Sequence, residues 1–181
     1  GAALLAFNRP EKRNALNERM MEEVEEVLRS AEEVPDISSI ILTGGSKFFI
    51  SGTDMDFLLG EGEALTPRHM YGIHHRTQSV YRYLAGIGKP TVAAMAGYAF
   101  GGGLELALCC DFRLAAENTR IGTPEIKVGI IPGAGGTQRL ARMIGVTRAK
   151  ELVMTGDPIS AEEAFQLGLL NRVVAAENLL N

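Results

Sequence analysis

The segment from Thr91 to Cys110 constrains the fold most, because it consists almost wholly of apolar residues and glycine. Residues 91–96 (TVAAMA) have no polar face, which predicts a strand that is covered on both sides. Residues 103–110 follow as a helix that is apolar around its whole circumference, and such a helix lies in the centre of a domain. The one acid inside this run, Glu105, is costly to bury and therefore needs an explanation.

Short strand-like runs alternate with helical patterns along the whole chain. The predicted strands are residues 2–7, 39–43, 91–96, 112–116 and 170–174. The predicted helices are residues 17–31, one from Thr66-Pro67 to a stop at Gly86, residues 103–110, a short one after Thr123-Pro124, one ending at Met143, and residues 147–154 and 161–167. This alternation predicts an α/β fold with parallel strands. We expect a single core domain over residues 1–181, incomplete at both ends.

The composition excludes several classes of function. With a formal net charge of −4, the 181 residues have no general attraction for nucleic acid or an anionic membrane. No apolar run is long enough to cross a bilayer. Cys109 and Cys110 are adjacent in an apolar run, which is typical of small buried residues in a reducing compartment. The spacing of His69, His74 and His75 fits no usual zinc signature, so we expect no metal.

Three glycine-rich stretches could carry chemistry: ISGTD, GGGLE and PGAGGT. None matches a phosphate-binding loop or a dinucleotide fingerprint in its strand–turn–helix setting. The stretch before Glu105 leads from a buried strand into the first turn of a helix. Free amides and the helix dipole there suit an anion or an oxygen that becomes negative during reaction. The alternative is that these glycines only allow a helix to pack tightly on a strand.

Glu105 and Glu125 are the candidate acid–base residues. The helix start favours the ionised form of Glu105 and its apolar neighbours favour the neutral form, which suits proton transfer near neutral pH. A glutamate that is held by backbone amides or an arginine is the alternative. Glu125 follows a Thr123-Pro124 helix start, where a capping acid is common. If the two carboxyls face each other, they can add or remove the elements of water.

Several segments together resemble the enoyl-CoA hydratase/isomerase, or crotonase, superfamily. They are NRPEKRNALN, IILTGGSKFFISGTD, KPTVAAMAGYAFGGGLELALCCDFRLA, IGTPEIKVGIIPGAGGTQRLARMIG and VMTGDPISAEEAFQLGLLNRVV, and they cover nearly the whole chain in the family's order. The resemblance implies an α/β spiral of repeated β-β-α turns that binds a coenzyme A thioester. It also implies that the C-terminal helical region of the family is missing from this sequence.

The resemblance also implies roles for individual residues. Glu105 and Glu125 are expected to be catalytic, and the backbone amides of Thr53 and Gly102 are expected to form an oxyanion hole. The other expected substrate-binding residues are Ser51, Gly52, Asp54, Met55, Gly101, Pro124 and Gly133. By position, Met55, Phe57, Leu58 and the helix after Thr66 are expected to line the acyl pocket. Which glutamate is the base stays open, and the pair can titrate as a unit.

Two positions depart from the family's pattern. Thr53 replaces a small alanine, and its methyl and hydroxyl groups narrow the pocket or make it more polar. Asp56 stands where many relatives carry a lysine near the coenzyme A phosphates. Arg9, Lys12 and Arg13 therefore become the candidates for those phosphate contacts.

The presence of both glutamates favours an enoyl-CoA hydratase, which adds water to the 2,3 double bond of a 2-enoyl-CoA. No separate cofactor is expected, because coenzyme A is part of the substrate. The alternatives are an enoyl-CoA isomerase or a specialised acyl-CoA lyase of the same superfamily, and a non-catalytic acyl-CoA-binding scaffold. The family further implies a homotrimer or a dimer of trimers, in the cytoplasm or, in a eukaryote, in the mitochondrial matrix.

Overall fold

The structure is a computed structural model that describes residues 1–59 and 66–181, without the side chain of His69. Its helices are α1 (Glu18–Glu33), α2 (Met55–Leu59), α3 (Pro67–Gly86), α4 (Gly102–Ala107), α5 (Gly136–Thr155) and α6 (Ala161–Gln166), with 3-10 helices at Pro10–Lys12, Pro124–Val128 and Ala176–Asn178. Its strands are β1 (Ala2–Ala6), β2 (Ser39–Thr43), β3 (Thr91–Met95), β4 (Tyr98–Phe100), β5 (Phe112–Ala116), β6 (Arg120–Gly122), β7 (Ile159–Ser160) and β8 (Arg172–Val174).

Five parallel strands form the larger sheet, in the order β1-β2-β3-β5-β8. β3 lies in the middle, and its residues Ala93 and Met95 are completely buried. This arrangement follows from the lack of a polar face in β3, because only a strand with cover on both sides can bury both sets of side chains. The prediction of an α/β fold with parallel strands is confirmed.

A second sheet has the order β4-β6-β7, with β4 and β6 parallel and β6 and β7 antiparallel. Ile50 extends it by pairing with Ala99 of β4. Successive turns of the chain therefore place one segment in each sheet: β2 then Ile50, β3 then β4, and β5 then β6. This is the expected spiral of β-β-α turns. The strands of the second sheet were not predicted, because two or three residues are too few for an alternating pattern.

The helices follow their sequence signals closely. Every residue of α4 is buried, as its apolar circumference predicts. α5 bends at Gly145, where φ is +78°, which explains why its sequence reads as two helices. Ser160 accepts a hydrogen bond from the N–H of Glu163 and completes a capping box for α6. No helix in the described part of the chain is long and apolar enough to cross a membrane. The single-domain boundaries over residues 1–181 stay a prediction.

Candidate active site

A cavity of about 310 Å³ lies between the start of α4, α3 and the segment from Pro124 to Ala134. It collects residues that are far apart in sequence. The expected site residues on its wall are Ser51, Gly52, Thr53, Met55, Gly101, Gly102, Glu105, Pro124, Glu125 and Gly133. The glycine-rich stretches and both glutamates therefore meet around one space.

Gly101 shapes the start of α4. Its φ of +50° and ψ of −124° define a backbone conformation that residues with a Cβ atom rarely adopt. A Cβ atom on Gly101 would lie 3.1 Å from Oε1 of Glu125, so the bare backbone lets that carboxyl approach. The N–H of Gly102, the first residue of α4, meets no acceptor among the residues that the structure describes. It is therefore available to an oxygen in the cavity that Gly102 lines.

Thr53 supplies a second free N–H. Leu16 donates to the carbonyl of Gly52 and accepts from the N–H of Asp54, both at 2.8 Å. Because successive N–H groups of an extended chain point to opposite sides, the N–H of Thr53 points away from Leu16. It has no acceptor within residues 1–59 and 66–181. The hydroxyl of Thr53 lies beside Gly102, where a Cβ atom on Gly102 would be 2.9 Å from it.

Glu105 is buried, with 3% of its surface exposed. Its Oε1 accepts hydrogen bonds from the N–H of Ala134 at 2.8 Å and from the N–H of Gly136 at 2.7 Å. Backbone amides therefore hold the carboxyl of Glu105, as the alternative in the sequence analysis expected. The same carboxyl also lines the cavity.

Burial raises the pKa of Glu105 from its ordinary value of 4.5 to about 7. The hydrogen bond from Gly136 works in the opposite direction, since it favours the ionised form. The negative charge of Glu125 raises this pKa further, while the N–H of Ala134 and the guanidinium of Arg139 lower it. A carboxyl with this balance can both hold and release a proton near neutral pH.

Glu125 presents a different environment. Its Oε2 is buried and has no hydrogen-bond partner in the described residues. Burial raises the pKa of Glu125, and its own backbone N–H offsets part of that effect. An unpartnered carboxyl oxygen on the wall of a cavity is available to bond a group that enters the cavity.

Asp54 is the one expected substrate-binding residue that does not line the cavity. Its carboxylate accepts a hydrogen bond from Arg9 at 2.5 Å and another from the N–H of Asp56 at 3.0 Å. Burial opposes its charge, but these bonds outweigh burial and lower the pKa of Asp54. Asp54 thus holds the turn before α2 in place through Arg9 and lines a neighbouring groove, and its expected role in substrate binding stays a prediction.

Two of the residues expected to contact the coenzyme A phosphates take part in ion pairs, and the contacts expected of Arg9, Lys12 and Arg13 stay predictions. Arg9 is engaged by Asp54, and Lys12 lies 3.3 Å from Asp56 on the surface. In the described part of the chain, Lys127 is the lysine that lines the cavity, and it pairs with Asp157 at 2.8 Å. Among the described residues, no three His, Cys, Asp or Glu side chains come together as a possible metal site. The expected absence of a metal stays a prediction.

The structure places some of the residues expected to line the acyl pocket on the cavity wall, and their role in acyl binding stays a prediction. Met55 and Leu58 line the cavity, whereas Phe57 lies in a neighbouring groove. α3 contributes Ile73, His74 and Thr77, and the residues that sequence reasoning missed after Glu125 are Lys127, Val128, Ile130, Ile131 and Ala134. The spacing of Ile73 and Thr77 on the apolar face of α3 signals a buried face but does not say that it borders a cavity.

Comparison with known proteins agrees with this geometry. A family model described as enoyl-CoA hydratase/isomerase matches residues 1–181. The chain is 44% identical over 179 residues to a crotonyl-CoA hydratase of Syntrophomonas wolfei, covering 98% of this chain and 67% of that protein. It is 42% identical to a mitochondrial enoyl-CoA hydratase of Pongo abelii, covering 98% of this chain and 59% of that protein.

Solved structures give the same grouping. The crystal structure of an enoyl-CoA hydratase from Bacillus anthracis has a TM-score of 0.91 and 38% sequence identity, covering 98% of this chain and 68% of that one. The chain thus spans about two thirds of the length of such relatives. Since the match extends over all the described elements and the cavity collects both glutamates, the chain belongs to the enoyl-CoA hydratase/isomerase family.

Proposed function

We propose that this chain forms the catalytic core of an enoyl-CoA hydratase that adds water reversibly to the 2,3 double bond of a 2-enoyl-CoA. One observation carries the proposal. The buried carboxyl of Glu105 and the half-buried carboxyl of Glu125 line the same cavity as the free backbone N–H groups of Thr53 and Gly102. The relatives reported above are named crotonyl-CoA hydratase and enoyl-CoA hydratase, and these names support the proposed reaction class.

The two N–H groups would hold the thioester oxygen of the substrate. When water attacks the β-carbon, electrons move towards this oxygen, and the intermediate is an enolate. Two donors that are already in place stabilise that charge, and the loss of one such donor typically costs about 3–4 kcal/mol in the barrier. Gly101 keeps the neighbouring backbone bare, so the thioester can reach the donors.

The glutamates would move the protons. One ionised carboxylate takes a proton from water while the oxygen of that water bonds to the β-carbon. The other carboxyl, which is neutral, delivers a proton to the α-carbon. The elements of water thereby add across the double bond. Raised pKa values keep one proton available to the pair near neutral pH. We treat Glu105 and Glu125 as a coupled pair, because the charge of one changes the pKa of the other.

No separate cofactor enters this proposal, because coenzyme A is part of the substrate. A homotrimer or a dimer of trimers, in the cytoplasm or in a mitochondrial matrix, stays a prediction from the family. Sedimentation of the purified protein would test the assembly.

An absorbance assay tests the proposed reaction. Crotonyl-CoA and longer 2-enoyl-CoAs should lose the absorbance of the conjugated thioester. Conversion of a 3-enoyl-CoA without any hydration would make the protein an isomerase, and tight acyl-CoA binding without turnover would make it a binding scaffold. Either result would overturn the proposal.

A further inference from the structure

One face of α3 makes polar contacts with both segments of the candidate site. His74, Gln78 and Tyr81 follow one another at spacings of four and three residues, which places them on the same side of the helix. None of the roles described above uses Gln78 or Tyr81. Both side chains nevertheless end on backbone atoms next to proposed catalytic groups.

Gln78 forms a hydrogen bond to the loop of residues 133–136, whose N–H groups bind Glu105. Its Nε2 donates to the carbonyl of Gly133 at 2.7 Å. The next residue, Ala134, and then Gly136 donate their N–H groups to Oε1 of Glu105. The carbonyl of Gly133 and the N–H of Ala134 belong to the same peptide group, so Gln78 bonds one end of the peptide whose other end bonds Glu105.

Two further contacts leave this loop little freedom. A Cβ atom on Gly133 would lie 2.4 Å from the imidazole of His74, so the ring packs directly on the backbone. The Nδ1 of His74 is bonded to the carbonyl of Met70 at 2.8 Å, which fixes the ring. Arg139 donates to the carbonyl of Ala134 at 3.0 Å. Among these residues, Gln78 is the one on α3 whose side chain donates a hydrogen bond to the backbone of this loop.

Tyr81 acts on the start of α4. Its side chain is completely buried, and its hydroxyl donates to the carbonyl of Gly102 at 2.6 Å. The N–H of the same residue is the proposed donor to the thioester oxygen. A phenol that is anchored in the core thereby fixes the orientation of the residue that carries the donor.

We propose that Gln78 and Tyr81 are positioning residues of the site, Gln78 for the carboxyl of Glu105 and Tyr81 for the backbone of Gly102. The Tyr81 part rests on the proposed function. The Gln78 part concerns the ionisation of Glu105 and can be measured without turnover.

The expected effect of Gln78 has a defined sign. The N–H groups of Ala134 and Gly136 favour the ionised form of Glu105, so a loosened loop raises the pKa of this carboxyl. Four other titratable groups of the described residues face Glu105. They are Glu125 from the 3-10 helix Pro124–Val128, Arg139 from α5, Tyr81 from α3 and Cys109, which follows α4. A substitution at Gln78 leaves all of these in place.

Infrared titration of the carboxyl tests Gln78 directly, with Glu105→Gln used to assign the band. In Gln78→Met, which keeps the length of the side chain and removes the donor, the pKa of Glu105 should rise by roughly 0.5–1 unit. Gln78→Asn, which keeps the amide but is too short to reach Gly133, should give the same rise. The matched control, Gln166→Met, removes an exposed amide that bonds Glu162 and should give no rise. An unchanged titration in the folded Gln78 variants would overturn the role of Gln78.

Steady-state kinetics test Tyr81. In Tyr81→Phe, kcat should fall roughly tenfold or more with little change in KM, because the charge on the thioester oxygen develops mainly in the transition state. Tyr83→Phe on the same helix removes a hydroxyl that bonds Glu32, and it should behave like the wild type. An unchanged kcat, or a change confined to KM, would overturn the role of Tyr81. If the wild type hydrates no 2-enoyl-CoA, the proposed function fails, while the infrared titration still decides the role of Gln78.

Discussion

Glu105→Gln should make the protein more stable than the wild type at alkaline pH, while it severely reduces hydration. The reason is the cost of a buried charge. Glu105 is 3% exposed, and its pKa in the folded protein is about 7 against an ordinary 4.5. Since one pKa unit corresponds to about 1.4 kcal/mol, this difference is worth about 3 kcal/mol.

The pH dependence has a definite sign. Below about pH 4.5 the carboxyl is neutral in both the folded and the unfolded chain, so no buried charge lowers the free energy of unfolding. As the pH rises towards 7, the unfolded chain releases the proton and the folded protein keeps it, so the free energy of unfolding falls. Above about pH 7 the loss is complete. Glutamine does not titrate, and its side-chain oxygen can still accept from Ala134 and Gly136.

Urea unfolding at a series of pH values, followed by circular dichroism, measures this effect. The free energy of unfolding of Glu105→Gln minus that of the wild type should increase by about 3 kcal/mol from acidic to alkaline pH. Glu162→Gln, at an exposed position of α6, is the matched control and should follow the wild type. Parallel curves for Glu105→Gln and the wild type, or a variant that loses stability as pH rises, would refute the reasoning.

Three smaller predictions concern stability, and each is checked by urea unfolding. Gly103→Ala should destabilise the protein by about 1–3 kcal/mol, because its Cβ would lie 2.6 Å from Cβ of Ile50; an unchanged midpoint would show that the two segments can move apart. Asp54→Asn should destabilise at neutral pH, and the difference should shrink as the pH falls through the lowered pKa of Asp54, because the wild type then loses its own bond to Arg9; a difference that does not depend on pH would contradict this. Ser160→Ala should cost about 1 kcal/mol through the lost cap of α6, and no loss would mean that packing alone holds that helix.

The larger sheet and the helices could be predicted from the sequence, because the buried strands have continuous apolar runs and the helices have clear caps. The segment 39–43 (SIILT) shows this, since it becomes β2 without any shift of its ends. β6 and β7 could not be predicted, because their pairing depends on contacts between residues 38–40 positions apart in sequence. No local pattern encodes such a pairing.

For the site, the residue pattern alone placed Glu105 at a helix start but left its role undecided. Its partner amides at Ala134 and Gly136 belong to a loop that only the fold brings close. For Asp54, the resemblance implies substrate binding, whereas its ion pair with Arg9 becomes visible only in three dimensions. Chemistry-bearing residue types are readable from sequence, while their hydrogen-bond partners depend on the tertiary fold.

Hydration in water labelled with heavy oxygen tests the central claim most directly, because it follows the atom that the glutamates are proposed to activate. After incubation with crotonyl-CoA, mass spectrometry should find a 3-hydroxyacyl thioester that carries one labelled oxygen, and Glu105→Gln and Glu125→Gln should each reduce its formation by about 10²-fold or more. Product without labelled oxygen, or a shifted double bond with no hydroxyl group, would contradict the proposed hydratase.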